Sequence, residues 1–417
     1  MKIIYLHQYF NTPQMSGGTR SYEMARRMVA AGHEVHMVTS YREHAKYLGW
    51  FTTEEAGIQV HWYPVQYSNH MGFMQRIKAF LAFAYAARKK TVELNGDIIF
   101  ATSTPLTIAL PAVTASRKNK VPMVFEVRDL WPEMPVAVGA LKNPILRLFA
   151  QKLEHWAYHN ADAVVALSPG MKDGVVRTGY PEEKVAVIPN SSDNVEFIFD
   201  PVAASRFRAE REWLADHPLL VYTGTFGQVN GVSYLVEVAK ELMSIRSNVK
   251  ILLVGDGVER EKIVARAKEL EVLEKNIFIE EKIAKCEMPA LLSAATMASV
   301  LFVDLPEMRS NSANKFFDAL ASGTPVLLNY GGWMHDLVKS HGCGLTMWGC
   351  TAKEVAEELE EKMNDQQWIE KAGTKSRVLA EECFDRDLLA NELLSILELS
   401  VKGSSEEVSK IAPGSYL

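Results

Sequence analysis

The stretch of sequence that decides the fold is ILLVGDG at Ile251–Gly257, an aliphatic run that ends in a glycine turn. A run that is apolar at every position indicates a strand covered on both faces, as in a parallel sheet flanked by helices. Similar runs alternate with helical patterns along the chain, at Ile3–Tyr9, Glu34–Thr39, Asp97–Ala101, Met123–Val127, Ala163–Leu167, Val185–Ile188, Leu219–Tyr222, Ile277–Ile279, Ser299–Val303 and Val326–Leu328. The pattern predicts an α/β protein with two doubly wound, Rossmann-like domains.

The boundary between the two domains is predicted near Pro189–Asp193, where the strand signals stop and turn residues cluster. A chain of 417 residues is too long for one hydrophobic core, which also favours two domains. We expect domains at 1–190 and 200–385, followed by a C-terminal helix and tail at 386–417. Open α/β sheets bind ligands at the carboxyl ends of their strands, so we expect the two domains to face each other across a binding cleft.

Charge is distributed unevenly between the two halves of the chain. Residues 1–190 carry 21 Lys and Arg against 15 Asp and Glu, a net of +6, which leaves 24 against 36, a net of −12, for the rest. The basic half predicts an anionic partner, either a phospholipid surface or a pyrophosphate-bearing substrate. Nucleic acid is not expected, because the pI is near 6.0 and no recognition motif is present. The four cysteines lack the spacing of a zinc site.

Glycine turns follow three of the predicted strands. Gly17 and Gly18 open a helical pattern in SGGTR at 16–20, Gly224 lies in YTGTFG at 222–227, and Gly255 and Gly257 lie in GDGVER at 255–260. Glycine lets a backbone approach a ligand closely, and the free N–H groups of a helix start attract phosphate. Each turn is equally consistent with a simple strand-to-helix connection.

The segment RSNSANKFFDALASGTPV at 309–326 carries the strongest site pattern. Asn311 or Ser312 could cap a helix, with Lys315 near its first turn and Asp318 one turn further on. A helix start with a lysine suits a diphosphate, and the carboxylate suits ribose hydroxyls, so the segment outlines a nucleotide-sugar site. The alternative is a capped surface helix whose charges are solvated.

Together with Gly224, the GDGVER turn and Ile188-Pro189-Asn190, the run Asn314–Val326 resembles glycosyltransferase family 4, retaining enzymes of the GT-B fold. Within it, FEVRDLWPE at 125–133 and HQYF at 7–10 resemble the O-antigen and capsule branch that includes N-acetyl-L-fucosamine transferases. The resemblance implies that Asp318 holds the ribose, and that Ser310 replaces the acid that usually contacts the transferred sugar. It also implies a metal-independent reaction without a side-chain nucleophile.

Two further positions depart from the family pattern. The usual Arg and Lys that neutralise the donor pyrophosphate fall on Thr225 and Asn230, so we expect Lys315, Arg260 and Arg309, in that order, to supply the charge. The full predicted donor set is Gly17, Gly18, Gly224, Thr225, Asn230, Gly255, Gly257, Glu259, Arg309, Ser310, Asn311, Asn314 and Asp318. The predicted catalytic residues are Lys315, Arg260 and Asp129.

The acceptor is expected to meet residues that follow a strand of the first domain. Asp129 or Glu126 could orient the acceptor hydroxyl, and Arg128 and Arg20 could meet an acceptor phosphate. An internal Arg–Asp pair that braces the Trp131-Pro132 loop explains the same residues equally well.

The helix near 75–90 has five basic residues and no acidic ones around an apolar centre too short to cross a membrane. It is expected either to lie on a membrane or to be a core helix with charged ends. A polyprenyl-diphosphate-sugar acceptor would account for both this helix and the basic half. The apolar run at the N-terminus is too short for a signal peptide, so we expect a cytoplasmic protein at the inner face of the membrane.

These observations predict a retaining glycosyltransferase that moves an N-acetylated amino or deoxyamino hexose from a UDP-sugar to a polyprenyl-diphosphate-linked sugar. Two alternatives stay open. One is an enzyme similar to UDP-N-acetylglucosamine 2-epimerases, which would turn over free UDP-sugar without an acceptor. The other is a sugar-nucleotide-binding module weakened by the changes at Thr225 and Asn230.

Overall fold

The computed structural model describes residues 1–15, 17–42, 48–67, 71–139 and 141–411. The chain divides into two compact units. The first comprises Met1–Pro189 and the described part of Asp387–Ser415, and the second comprises Asn190–Arg386. The C-terminal helix, which the sequence did not assign to either domain, therefore belongs with the first unit.

The first unit is built on an eight-stranded sheet in the order β3-β4-β2-β1-β5-β6-β7-β8. All neighbouring pairs are parallel except β3 and β4, which form an antiparallel hairpin at one edge. The strands are β1 Lys2–Leu6, β2 Glu34–Tyr41, β3 Phe51–Glu55, β4 Ile58–Pro64, β5 Ile98–Thr102, β6 Met123–Val127, β7 Ala163–Ala166 and β8 Val185–Val187.

Helices cover both faces of this sheet. They are α1 Arg20–Ala30, α2 Phe73–Leu94, α3 Ala109–Asn119, α4 Glu133–Ala137, α5 Pro144–His159, α6 Pro169–Arg177 and the C-terminal helix, whose bounds are Arg386–Val401. On one face α2, α3, α5 and α6 contribute to one core, whereas α1 and the C-terminal helix contribute to the core on the other. The C-terminal helix buries Leu389, Leu393 and Ile396, which recur at helical spacing and form an apolar stripe.

The second unit has a six-stranded sheet, parallel throughout, in the order β11-β10-β9-β12-β13-β14. Its strands are β9 Leu219–Thr225, β10 Lys250–Asp256, β11 Ile277–Glu280, β12 Met297–Val300, β13 Val326–Leu328 and β14 Gly344–Thr346. Its helices are α7 Pro201–Ala209, α8 Tyr234–Ser244, α9 Arg260–Glu269, α10 Met288–Ala294, α11 Asn314–Ala321, α12 Trp333–His341, α13 Ala352–Met363 and α14 Gln366–Cys383, so the C-terminal helix is α15.

The prediction of two doubly wound, Rossmann-like domains is confirmed, but the sequence analysis missed three strands. The hairpin strands β3 and β4 contain charged and polar residues, so they lack a continuous apolar run, and β14 is three residues long. The strand predicted at Ser299–Val303 lies instead at Met297–Val300. The chain leaves the sheet there because the Val303 amide donates to the carbonyl of Val229, in a neighbouring 3-10 turn.

Helix α2 contains the segment predicted to lie on a membrane or in the core. One face packs into the first unit through Ala79, Phe80, Phe83 and Ala87. The opposite face exposes Met74, Lys78, Leu81, Tyr85 and Arg88. In the described part of the chain, no helix is long and apolar enough to span a membrane.

Candidate functional site

The carboxyl end of β9 is the point in the second sheet where the strand order reverses. From β9 the chain continues to β10 and β11 on one side, and then returns to β12 on the other. Ligands of doubly wound sheets bind at such a point. The residues at this end are Tyr222, Gly224 and Thr225, and the Tyr222 hydroxyl donates to the carbonyl of Thr225 over 2.9 Å.

Helix α11 brings Lys315 to this strand end. The Lys315 Nζ lies 3.9 Å from the centroid of the Tyr222 ring. It also lies against Gly224, where a Cβ atom would be 3.0 Å from the amine and φ is +130°. Glycine at this position therefore leaves room for the lysine and adopts a backbone conformation that other residues disfavour.

The amine of Lys315 is buried and has no hydrogen-bond partner among the described residues. Burial lowers the pKa of this amine to about 7. A buried amine without an acceptor is costly unless a ligand supplies one, so its placement favours an anionic ligand over a purely structural role.

The start of α11 differs from the prediction. Neither Asn311 nor Ser312 caps the helix, because the N-cap is Ala313, whose side chain cannot accept a hydrogen bond. The Asn311 side chain instead donates from its amide nitrogen to the Met308 carbonyl and accepts at its oxygen from the Tyr330 hydroxyl over 3.4 Å. The Ser312 hydroxyl accepts from the Asn190 amide over 3.0 Å. The first turn of α11 thus keeps its N–H groups free of a side-chain cap.

Asp318 lies one turn after Lys315 on α11, and its Oδ1 accepts from the Ser192 hydroxyl over 2.9 Å. Burial raises the pKa of this carboxyl, whereas Lys285 and Arg386 oppose the rise. Asp318 therefore ties α11 to the segment that starts the second unit. Its ribose-binding role stays a prediction, in which the Oδ2 atom would accept from the ribose hydroxyls.

The other predicted cations of the second unit are engaged in ion pairs. Arg260 pairs with Glu281 over 2.8 Å, and Arg309 pairs with Asp304 over 3.2 Å and lies over the Trp348 ring. Lys315 lies over the Tyr222 ring but forms no ion pair among the described residues. Lys315 is accordingly the predicted cation whose charge the second unit leaves without a counterion.

The remaining predicted donor residues of the second unit lie at the ends of β9 and β10, on the loops that follow β9, β10 and β12, and at the start of α11. A Cβ at Gly255 would lie 1.9 Å from the Gly224 carbonyl oxygen, so these two glycines allow β9 and β10 to approach. Thr225 and Asn314 are exposed, whereas Asn230, Gly257, Glu259 and Ser310 are half-buried. Gly17 and Gly18 belong to the first unit, in an exposed turn ahead of α1, and their neighbour Ser16 lies outside the described residues.

The first unit corrects two of the acceptor predictions. Arg20 and Glu126 are almost completely buried and form an ion pair over 3.0 Å. Arg20 also donates to the carbonyls of Ile188 and Pro189, and the second Glu126 oxygen accepts from Thr102. Both charges are satisfied inside the unit, so we remove these residues from the acceptor site.

Arg128 and Asp129 are half-buried at the end of β6. The Arg128 guanidinium lies 3.3 Å from the His7 Nε2 atom, and the Asp129 carboxylate accepts from Thr104 over 3.2 Å. Burial, together with Arg128 and Arg42, lowers the pKa of His7, which keeps the imidazole neutral and able to accept from Arg128. Burial raises the pKa of Asp129. Both residues keep their predicted acceptor roles as predictions.

Sequence reasoning missed Tyr222 and His7 as members of these sites. Tyr222 looked like one more apolar residue of a buried strand, and His7 like part of the family's opening motif. A signal existed for Tyr222, because it lies two residues before Gly224 and so faces the same side of β9 as that glycine.

Two family models match successive parts of this chain. "Glycosyl transferase 4-like domain" matches residues 17–191, and "Glycosyl transferases group 1" matches residues 204–378. The chain therefore carries two glycosyltransferase domains in tandem.

Individual relatives are distant. The uncharacterized glycosyltransferase MJ1607 of Methanocaldococcus jannaschii is 20% identical over 253 residues, which are 60% of this chain and 63% of the relative. The capsular polysaccharide biosynthesis glycosyltransferase CapM of Staphylococcus aureus is 22% identical over 308 residues, 70% of this chain and 78% of CapM. The match thus spans less than two thirds of the length of MJ1607.

Solved structures share the fold. The crystal structure of Anabaena Alr3699/HepE in complex with UDP superposes with a TM-score of 0.71 at 16% identity, over 95% of this chain and 100% of that protein. Two Rossmann-like α/β domains of the GT-B kind are thereby established. Among the residues the structure describes, no group of three or more His, Cys, Asp and Glu could hold a metal ion. Metal-independent transfer itself stays a prediction.

Proposed function

We propose that the protein is a retaining glycosyltransferase that moves an N-acetylated amino or deoxyamino hexose, such as N-acetyl-L-fucosamine, from a UDP-sugar to a polyprenyl-diphosphate-linked sugar. The reaction would serve O-antigen or capsule synthesis at the inner face of the cell membrane. The observation that carries the proposal is the buried, unpartnered Lys315 amine at the carboxyl end of β9.

The place and chemistry of Lys315 fit the diphosphate of a sugar nucleotide. The end of β9 lies at the reversal of strand order, and its glycine leaves room for the Lys315 amine beside the backbone. In the family pattern, the positive charge for the diphosphate comes from the loop after this strand, at positions now held by Thr225 and Asn230. Lys315 brings a charge to the same strand end from α11, and so compensates for both changes.

Support for the donor and the pathway comes from the relatives. The Anabaena protein was crystallised with UDP, and the Staphylococcus protein is named for capsular polysaccharide biosynthesis. A lipid diphosphate acceptor suits the net charge of +6 in residues 1–190 and the Arg128 guanidinium.

The chemistry proposed for this site is electrostatic. As the bond between the sugar and the diphosphate breaks, negative charge develops on the leaving phosphate, and a protonated Lys315 with the uncapped N–H groups of α11 stabilises it. The acceptor hydroxyl attacks from the face that the diphosphate leaves and gives its proton to the departing phosphate oxygen, while Asp129 orients that hydroxyl. The half-buried Arg128 binds the acceptor diphosphate.

The test is a turnover screen of purified protein against UDP- and GDP-sugars, with and without a polyprenyl-diphosphate N-acetylhexosamine. Acceptor-dependent release of UDP would support the transferase and identify its donor. Turnover of free UDP-sugar without acceptor would instead identify an epimerase- or hydrolase-type activity. Nucleotide binding without release in any combination would indicate the weakened binding module.

Donor binding is predicted to take up a proton. The free Lys315 amine has a pKa of about 7, and a neighbouring diphosphate raises it because the opposite charge favours the ammonium form. At a pH between the free and the bound pKa, each bound UDP-sugar should therefore bring in up to about one proton. The apparent affinity should fall as the pH rises above about 7, by up to about tenfold per pH unit.

Calorimetry in two buffers of different ionisation enthalpy at pH 8 measures this uptake directly. The diphosphate diester of a UDP-sugar has no terminal phosphate and so does not titrate near neutral pH. Lys315→Met should abolish the uptake, whereas Lys240→Met, at an exposed lysine of α8, should leave it unchanged. Wild-type binding without proton uptake at pH 8 would place the diphosphate away from Lys315.

A further inference from the structure

Helix α5 of the first unit exposes four large apolar side chains within five residues. The exposed fractions are 63% for Ile145, 41% for Leu146, 51% for Leu148 and 65% for Phe149. We call these four residues the α5 patch. Surface apolar residues are common singly, but a contiguous group on a helix marks an interaction surface.

The α5 patch is placed on the helix in the manner of an interfacial helix. Ile145, Leu148, Phe149 and the exposed Lys152 follow the i, i+3, i+4, i+7 spacing of one helical face. The opposite face is buried through Glu154, Ala157 and Tyr158. The helix is thus anchored in the unit by one side and presents apolar and basic side chains on the other.

Charge around the α5 patch favours an anionic surface. Between Met134 and Leu153 the sequence contains Lys142, Arg147 and Lys152 and no acidic residue. A second exposed apolar group, Val195, Ile198, Phe199 and Val202, differs because Glu196 and Asp200 lie within it. Apolar residues with cations alone suit a bilayer of anionic lipids, whereas acidic residues would be repelled by one.

The outer face of helix α2 has a composition similar to that of the α5 patch. Helices α2 and α5 both pack against the 3-10 turn Leu106–Ile108, so they lie on the same face of the first sheet. The outer face of α2 also combines exposed apolar residues, Met74, Leu81 and Tyr85, with Lys78 and Arg88. Lysine and arginine can bury their aliphatic stems in the membrane–water interface while their charges reach the lipid headgroups. Tyrosine suits the same interface, because its ring is apolar and its hydroxyl is polar.

We propose that the α5 patch, together with the outer face of α2, docks the first unit on an anionic lipid bilayer, with Ile145, Leu148 and Phe149 inserted among the acyl chains. The inference rests on the proposed function, because a bilayer is where a polyprenyl-linked acceptor resides. It assigns the main apolar contact to α5, which the sequence pattern had not singled out.

The experiment is flotation of the full-length protein with vesicles that contain phosphatidylglycerol, at low and high salt. Leu148→Gln/Phe149→Gln should lower the partition coefficient at least tenfold at both salt concentrations, because apolar insertion is not screened. Lys142→Gln/Lys152→Gln should lower it severalfold at low salt and little at high salt. The matched control Ile198→Gln/Val202→Gln removes two exposed apolar side chains of the second unit and should bind as the wild type does.

Turnover on a water-soluble, short-chain acceptor separates this inference from the proposed function. The Leu148→Gln/Phe149→Gln protein should keep that turnover, since neither residue belongs to the proposed site. Wild-type flotation by this variant, or no flotation of the wild type, would overturn the docking proposal. A change in its sedimentation with unchanged flotation would also overturn it, in favour of contact with a second copy of the chain.

Discussion

Lys315→Met should lower turnover about 10²- to 10³-fold and leave the protein at least as thermally stable as the wild type. The loss follows because methionine fills a similar volume beside Tyr222 and Gly224 but brings no charge to the leaving diphosphate. The stability should not fall, because the substitution removes a buried amine that has no hydrogen-bond partner among the described residues. Initial rates with saturating acceptor and a thermal melt measure the two effects.

The opposite signs of these two effects are what identify a functional lysine. If Lys315 were structural, its loss would lower the melting temperature and the activity together. Lys240→Met is the matched control, because it removes an exposed lysine of the same unit and should change neither quantity. Full turnover in Lys315→Met would remove Lys315 from the catalytic set and return Arg260 and Arg309 to consideration.

The architecture was predictable because buried parallel strands have a distinctive local pattern. Every residue of β5, β6 and β7 is buried, so their apolar runs reveal them without any alignment. The edge hairpin of β3 and β4 has no such pattern, since β3 contains one apolar residue, Phe51, and the apolar residues Ile58 and Val60 of β4 alternate with polar ones. Its antiparallel pairing depends on the turn at Ala56 and Gly57, both of which have positive φ values.

The candidate site was predictable in composition but not in geometry. Lys315 and Gly224 were chosen from separate motifs, and the contacts of Lys315 with Gly224 and Tyr222 depend on how α11 packs on the second sheet. The cap at Asn311 or Ser312 failed for a similar reason, because Tyr330 engages the Asn311 side chain and the Asn190 main-chain amide engages the Ser312 hydroxyl. Local sequence cannot reveal partners that lie so far away along the chain.

The buried pair of Arg20 and Glu126 shows how a site prediction and a structural role can share the same residues. A cation at a helix start and an acid at a strand end suit an acceptor phosphate and hydroxyl. The structure instead uses Arg20 to join the start of α1 to β6 and to the carbonyls of Ile188 and Pro189. Sequence alone does not distinguish these roles, because burial decides between them.

Glu126→Ala should destabilise the first unit by about 3–5 kcal/mol, because it leaves the Arg20 guanidinium buried without its carboxylate partner. Glu126→Gln should cost less, since the amide oxygen can still accept from Arg20. Chemical denaturation measures the loss, and hydrogen exchange at β5 and β6 locates it in the first unit. Glu93→Ala, which breaks the exposed pair of Lys89 and Glu93, is the matched control and should cost less than about 0.5 kcal/mol.

The same variant decides whether Glu126 belongs to the acceptor site after all. A buried structural pair predicts that any fall in activity follows the unfolded fraction, so that the KM for the acceptor is unchanged at temperatures where the variant is folded. If Glu126 instead binds the acceptor, the variant should have a raised KM for the acceptor and near-normal stability. Because Glu126 is fully buried and both of its oxygens accept hydrogen bonds from within the unit, we expect the first result.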